Sequence, residues 1–471
     1  MVEEQIIVAL ELGSSKLTGV AGKHQTDGSW RIEAVAQEPA SGFMRNGVVF
    51  NRDKCVAAIK RVVNSLETQL NHHITQVYVG AGGQGLHTEK NTVERSFDGN
   101  VAVPLETVNE MMNENLNTPL SGKEILRAIP QEYRVGSTTL IDPVGVLTDH
   151  IEGTYCNIVA RPLLRTYIRD SFKEAGIAIA DLKCTPLLLG QELLSDDEKR
   201  SGCVLVDFGA DTTTVLVYKG GLLRFMSVIP LGSANITKDI MSLQIEEREA
   251  ERLKVDYGYM GDDIGEEEKL AVAVTLGDGE TITKGTLINV IEARLEEILL
   301  NVKEQIVQSG YPSSILSSGA FLVGDGAQLK NMVRAFKQFV EINKVSILRT
   351  LRTTVHFAKG LGKQYANDNR LALVGVLSVI ASGTASCTGS ELPEQGANGL
   401  FDTPDTPGTA EVVVEVPPTK EEKPEEEKKE EKKKKGNVFG RIARWLTQAT
   451  EKIVGDDEDR DNAQREERDN N

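Results

Sequence analysis

The chain has 471 residues and a formal net charge of −17, a length that predicts about three or four domains. With 40% hydrophobic and 26% charged residues it has the composition of a soluble α/β protein, and its acidic balance excludes a general nucleic-acid binder, which needs a basic surface. Five scattered cysteines without a CxxC, and six histidines without metal-binding spacing, exclude a disulfide scaffold and a cysteine zinc site and predict a reducing compartment.

The first residues carry two acids and run directly into an apolar strand, IIVALELG, so no signal peptide is expected. Helical periodicity follows over Arg52–Leu70, then a strand, ITQVYVG, then helices over Leu163–Ala175, Glu247–Tyr257, Gly285–Ser309 and Ala327–Phe339. Between them stand short apolar runs that end in glycine: CVLVDFG, TTVLVYKGG and GAFLVGDG. Alternation of this kind predicts an α/β fold. Gly80-Ala81-Gly82-Gly83-Gln84-Gly85 fits GxGxxG, but a dinucleotide fingerprint needs a helix next and LHTEKNTVERSFDGN has no helical period. The longest apolar run, Leu371–Ser382, is too short to cross a bilayer and predicts a buried helix.

Composition changes near Ala385. Residues 1–384 carry a net charge of −9, and residues 385–471 carry −8 in less than a quarter of the length. Residues 385–435 are rich in Pro, Thr, Glu and Lys with little to pack, which predicts a disordered linker. Apolar periodicity returns over 436–454, and the acidic stretch 455–471 follows.

Two segments resemble one another. Ile6–Gly22 and Cys203–Gly221 both read as a buried strand, an acid, one apolar residue, a glycine, a small polar turn and a second strand, one supersecondary unit used twice. Gly13 and Gly209 permit tight turns whose backbone N–H groups converge on an anion. Ser14, Ser15, Thr212, Thr213 and Thr214 add hydroxyls, and Lys16 adds a cation. Glu11 and Asp207 stand at the strand ends, where a carboxylate holds Mg²⁺ through water. Two such turns facing each other would clamp a polyphosphate between two lobes. A third element, GAFLVGDGAQLKNM (319–332), runs a strand into Gly324-Asp325-Gly326 and is expected to open a helix there, a turn suited to an α-phosphate or base.

This order of motifs resembles the actin-like ATPase superfamily and, within it, the FtsA family of bacterial cell-division proteins. Five further segments carry the likeness: ASGFMRNGVVFNRD (40–53), AIPQEYRVGSTTLIDPVGV (128–146), IPLGSANITKDI (229–240), AERLKVDYG (250–258) and VIEARLEEIL (290–299). The resemblance covers about residues 5–384 and 436–454. It implies two ribonuclease-H-like lobes with an inserted subdomain. The first lobe would comprise residues 1–83, 163–197 and 346–384, with the insert at 84–162. The second would comprise 198–232 and 305–345, with its own smaller subdomain at 233–304. It also implies ATP and Mg²⁺ as ligands. Gly13, Ser14, Ser15 and Lys16, with Gly209, Asp211, Thr212 and Thr213, would hold the β- and γ-phosphates. Glu251 and Lys254 would flank the ribose or adenine, and Gly324 and Gly326 would pass the α-phosphate. Glu292, Arg294 and Glu296 match the family's surface for the C-terminal peptide of FtsZ. Two departures stand out: Glu11 replaces the superfamily's usual Asp, and LVGDGA replaces LTGGGA, which places Asp325 near the expected α-phosphate. The region where actins carry a catalytic glutamine falls near Pro186–Leu189, which is apolar, with Gln191 just beyond. Slow hydrolysis is therefore expected.

At ~100° per residue, Val438, Phe439, Ile442, Trp445, Leu446, Ala449 and Ile453 fall within an arc of roughly 120°. Arg441 and Arg444 lie outside it, and residues 432–452 carry seven bases and one acid. This pattern predicts an interfacial helix on anionic lipid, the alternative being a helix that docks on its own globular domain or in a partner's groove. Its apolar burial and basic flanks are offset by the cost of ordering it, so a monomer binds marginally and an array of tails on a polymer binds by avidity. The resemblance accordingly implies a peripheral protein on the cytoplasmic face of the bacterial inner membrane at the division septum, which polymerises, tethers FtsZ and recruits later division proteins. A small-molecule kinase on the same fold would need a substrate-lobe acid that no motif supplies. A pilus-assembly adaptor would lack both IPQEY and the tail helix.

Overall fold

Burial on both faces explains why the opening strand, Ile6–Leu12, is a continuous apolar run: every residue in it except Glu11 is buried. The computed structural model describes residues 5–391 apart from 278, 280 and 362–372. The tail positions named above (Val438, Phe439, Arg441, Ile442, Arg444, Trp445, Leu446, Ala449 and Ile453) lie outside the described residues.

Ile6–Leu12 is followed by Lys16–His24 and Trp30–Pro39, an antiparallel meander. On the other side of the opening strand lie Gln76–Ala81 and then Ala178–Cys184, both parallel. A short strand, Val355–Phe357, completes a six-stranded sheet against Trp30–Pro39. The helix Arg52–Leu70 covers the meander. Asn51 caps its start by accepting the Lys54 N–H, and Cys55, Ile59, Val62, Val63 and Leu66 form its buried stripe.

The second lobe repeats this arrangement. Cys203–Phe208, Thr213–Lys219 and Leu222–Ile229 form the meander, and Gly319–Val323 and Val345–Ile347 lie parallel on the far side of the first strand. The 25-residue helix Lys284–Gln308 packs over it through Leu287, Ile291, Leu295, Ile298 and Val302. Duplicated order, not similar length, identifies the two lobes as one unit used twice. The expected helix at 327–339 is divided. Gly326 and Ala327 are buried in a single 3₁₀ turn, Asp325–Gln328, and Asn331 at φ +61° breaks the chain before a helix starts at Met332. Gly326 lies close against Phe208 and Ser233, where a Cβ would crowd both.

The strand His87–Ala102 follows the glycine cluster 80–85, so no helix stands where a dinucleotide fingerprint needs one. Residues 87–160 build their own antiparallel sheet around Val93, Met111, Tyr133, Ile151 and Tyr155. That sheet joins the second lobe's sheet at Ser227 and His87, making nine strands in all. Gln131, the central residue of IPQEY, makes this joint. It is buried, donates to Leu223 O at 3.2 Å, and accepts from Arg224 Nη1 at 3.0 Å. Tyr133 from the same motif meets Tyr155 edge to face at 6.2 Å. Gln131→Leu leaves Arg224 and the Leu223 carbonyl without this partner, so it is expected to lower unfolding stability by roughly 1–3 kcal/mol in urea denaturation.

Candidate nucleotide site

The two hairpins match bond for bond. Glu11 faces Thr18 and Leu12 faces Leu17; Asp207 faces Thr214 and Phe208 faces Thr213. Each turn closes identically, with Gly13 N–H donating to Lys16 O at 3.1 Å and Gly209 N–H to Thr212 O at 2.9 Å. Those two N–H groups are therefore spent on closing the turns. Hydroxyls, Lys16 and the remaining amides are what the turns offer a phosphate.

Between the turns lies a cleft of about 1050 Å³, a size suited to a nucleotide. Its walls bring together Glu11, Gly13, Ser14, Ser15, Lys16, Asp207, Gly209, Thr212, Glu251, Lys254 and Gly324. Three expected residues do not line it. Thr213 is buried and its hydroxyl donates to Leu231 O at 2.8 Å. Gly326 packs against Phe208 and Ser233. Asp211 points instead across the gap between the lobes, where its Oδ2 accepts the Asn46 N–H at 3.1 Å.

Several lining residues escaped the sequence reading. Gly82 and Gly83, from the rejected glycine cluster, line the cleft, as do Gly47, Thr18, Lys238 and Gly375. Gly375 is the second residue of the helix Val374–Ala381, and a side chain there would collide with both oxygens of Glu11. The glycine inside an otherwise apolar run was the available signal. Gly324 has the same relation to the other acid. It sits at φ +89°, and a Cβ on it would lie 2.5 Å from Asp207 Oδ1.

These acids are crowded. Burial pushes the Glu11 carboxyl up to about 8, with further repulsion from Asp207 and Asp325, against one favourable bond from the Val376 backbone. Burial and then Asp325 push Asp207 up to about 6. A divalent cation would relieve this repulsion, so the donor set fits Mg²⁺ held by two strand-end carboxylates and water. Among the described residues no group of three or more His, Cys, Asp or Glu forms a metal cage.

Lys254 is buried. Its Nζ donates to Glu251 Oε2 at 2.7 Å, Thr237 Oγ1 at 3.1 Å and Ser233 O at 3.3 Å, which ties the helix Glu247–Tyr257 to Ser233–Met241 along one cleft wall. Elsewhere, Arg294 holds Asp239 through Nε at 2.5 Å and Nη2 at 3.2 Å, and also pairs with Glu297. Glu292 accepts the Met260 and Gly261 N–H groups at 2.9 and 2.6 Å. Of the three expected peptide-binding residues only Glu296 is exposed, and Glu292 and Arg294 are half-buried.

Two duplicated lobes around a cleft with paired acid–x–Gly turns define an actin-like protein. The fold matches that of a chain in the PilM–PilN type IV pilus biogenesis complex, with TM-score 0.56 and 15% identity over 79% of this chain and 97% of that one. Residues 204–372 match the family model described as cell division protein FtsA. The chain is 31% identical over 341 residues to the cell division protein FtsA of Porphyromonas gingivalis, covering 71% of each. It is 30% identical over 352 residues to that of Bacillus subtilis, covering 73% of this chain and 78% of the relative. The chain belongs to the FtsA family of cell-division proteins.

The crowding carries a pH dependence. Glu11 holds its proton to about 8 when folded and to 4.5 in the reference state, so between those values folding takes up a proton and stability falls as pH rises. Glu11→Gln removes that loss. The variant without nucleotide is expected to be more stable than the wild type at pH 8, by on the order of 1–2 kcal/mol. The difference should vanish below the reference pKa of 4.5, as followed by urea denaturation across pH.

Proposed function

We propose that this protein binds ATP with Mg²⁺ between its lobes, polymerises, and tethers the FtsZ ring to the cytoplasmic face of the inner membrane, where it recruits later division proteins. One observation carries the nucleotide part: two turns in identical register, each preceded by a crowded carboxylate, open on one cleft. Membership of the FtsA family supports the rest. In this reading Lys16 and the hydroxyls of Ser14, Ser15 and Thr212 bind the phosphates. Glu11 and Asp207 orient the hydrated cation, which supplies charge neutralisation when bound. The Glu251–Lys254 wall flanks the sugar and base.

Turnover is slow in this reading. The helix Thr185–Leu193 presents Thr185, Pro186 and Leu189 to the cleft, while Gln191 is exposed and outside its walls. No carboxamide from that helix is placed to orient water. Isothermal calorimetry is expected to give a MgATP binding heat, and phosphate release to stay below ~1 s⁻¹. A silent titration overturns the assignment.

The tail supplies the membrane contact, with Phe439, Ile442, Trp445, Leu446, Ala449 and Ile453 facing lipid and Arg441 and Arg444 beside its headgroups. Trp445→Glu is expected to lose co-sedimentation with anionic vesicles, and a polymerisation-defective form to bind more weakly than the wild type. Equal binding by all three removes the coupling of assembly to membrane. For the FtsZ peptide the exposed Glu296 is the cleaner probe, because Arg294→Glu would also gather carboxylates at Asp239 and Glu297. Glu296→Lys is expected to weaken peptide binding in fluorescence anisotropy with the MgATP heat unchanged.

A further inference from the structure

The small hairpin Met44–Arg45/Val48–Val49 turns at Asn46-Gly47, with φ of +50° and +74°, the signs a two-residue type I′ turn requires. Its tip is locked to the first lobe. Gly47 N–H donates to Ser14 Oγ at 2.9 Å, Gln84 N–H donates to Asn46 O at 2.8 Å, and Asn46 Nδ2 donates to Gln84 Oε1 at 3.0 Å. A Cβ on Gly47 would lie 2.5 Å from Gly83 Cα, so the tip lies directly on the glycine cluster.

The second lobe's turn is equally fixed. Ser233 and Ala234 donate their N–H groups to Gly209 O and Ala210 O at 3.0 and 2.8 Å. From this turn Asp211 reaches over and accepts the Asn46 N–H at 3.1 Å, while its other oxygen lies 3.8 Å from Lys238 Nζ. The carboxylate is only 16% exposed. A charged acceptor on one lobe thus meets a backbone donor on the other, with a cation behind it.

We propose that Asp211 is an interlobe latch: its carboxylate takes the bridging role that a bound polyphosphate would otherwise play, and holds the cleft closed without nucleotide. This rests on the reading of the cleft as a nucleotide site. A polyphosphate between the turns would bridge the lobes by charge, and here the second lobe's turn reaches the first lobe's hairpin with a carboxylate of its own. Nucleotide then fills a cleft whose mouth is already joined, and closure becomes a property of the chain.

Amide hydrogen exchange on the full chain, without nucleotide, tests the latch. In Asp211→Ala the Asn46 amide is expected to exchange about tenfold faster or more than in the wild type, and small-angle scattering to give a larger radius of gyration. The Ala234 amide, bonded within the second lobe, keeps its wild-type rate. Asp211→Asn, which retains an acceptor without charge, falls between, and Lys238→Gln loosens Asn46 less than either. MgATP slows the Asn46 amide in Asp211→Ala and changes it little in the wild type. An unchanged Asn46 rate in Asp211→Ala overturns the latch, and so does equal acceleration at Ala234, which would make Asp211 a residue of the turn alone. A silent MgATP titration would instead remove the nucleotide reading and leave the nucleotide-free comparison standing.

Discussion

The structure turns on one register. In each lobe an acid stands opposite a threonine one apolar residue before a glycine, and the hairpin closes through that glycine's N–H. A slip of one residue would send the acid to the opposite face of its sheet, because side chains alternate along a strand. In Ile6–Leu12 and Cys203–Phe208 both faces are buried, so that slip would drive a carboxylate into the apolar core. Core packing therefore aims Glu11 and Asp207 at the same cleft, and everything else about the site is arranged around two carboxylates that repel.

That repulsion has visible structural accommodations. Gly375 and Gly324 remove the side chains that would otherwise overlap the two carboxylates. A single N–H from Val376 partly offsets the burial of Glu11. Asp325 adds a further negative charge on an exposed turn instead of relieving the site. Burying like charges is costly unless a cation or proton compensates, and this is the physical support for the cation proposed at Glu11 and Asp207.

The inserted sheet links different parts of the chain. Residues 87–160 leave the first lobe in sequence yet extend the second lobe's sheet, through Gln131, Arg224 and the Ser227–His87 pair. With the Asn46–Asp211 contact at the cleft mouth, the lobes are joined at places that involve no nucleotide.

The alternation of apolar runs and helical periods, the duplicated hairpin and the glycine turns were legible in the chain because each is a local pattern: a strand's burial, a turn's need for glycine, a helix's stripe. They sufficed for the α/β class, the two-lobed fold and a list of residues of which most meet in one cleft. Long-range contact decided the rest. No spacing relates Gly375 to Glu11 or Gln131 to Arg224, and the helix expected at 327–339 gave way to a 3₁₀ turn and a left-handed Asn331 that periodicity does not register. Thr213 looked like one more turn hydroxyl until the strand's pleat turned it inward. Asp211 looked like one more phosphate-turn residue, and only the meeting of two lobes brought the Asn46 N–H to its carboxylate. The sequence by itself determined which elements form and which chemistry they carry. The tertiary structure decided which of those groups face one another, since that depends on where strands distant in sequence pair.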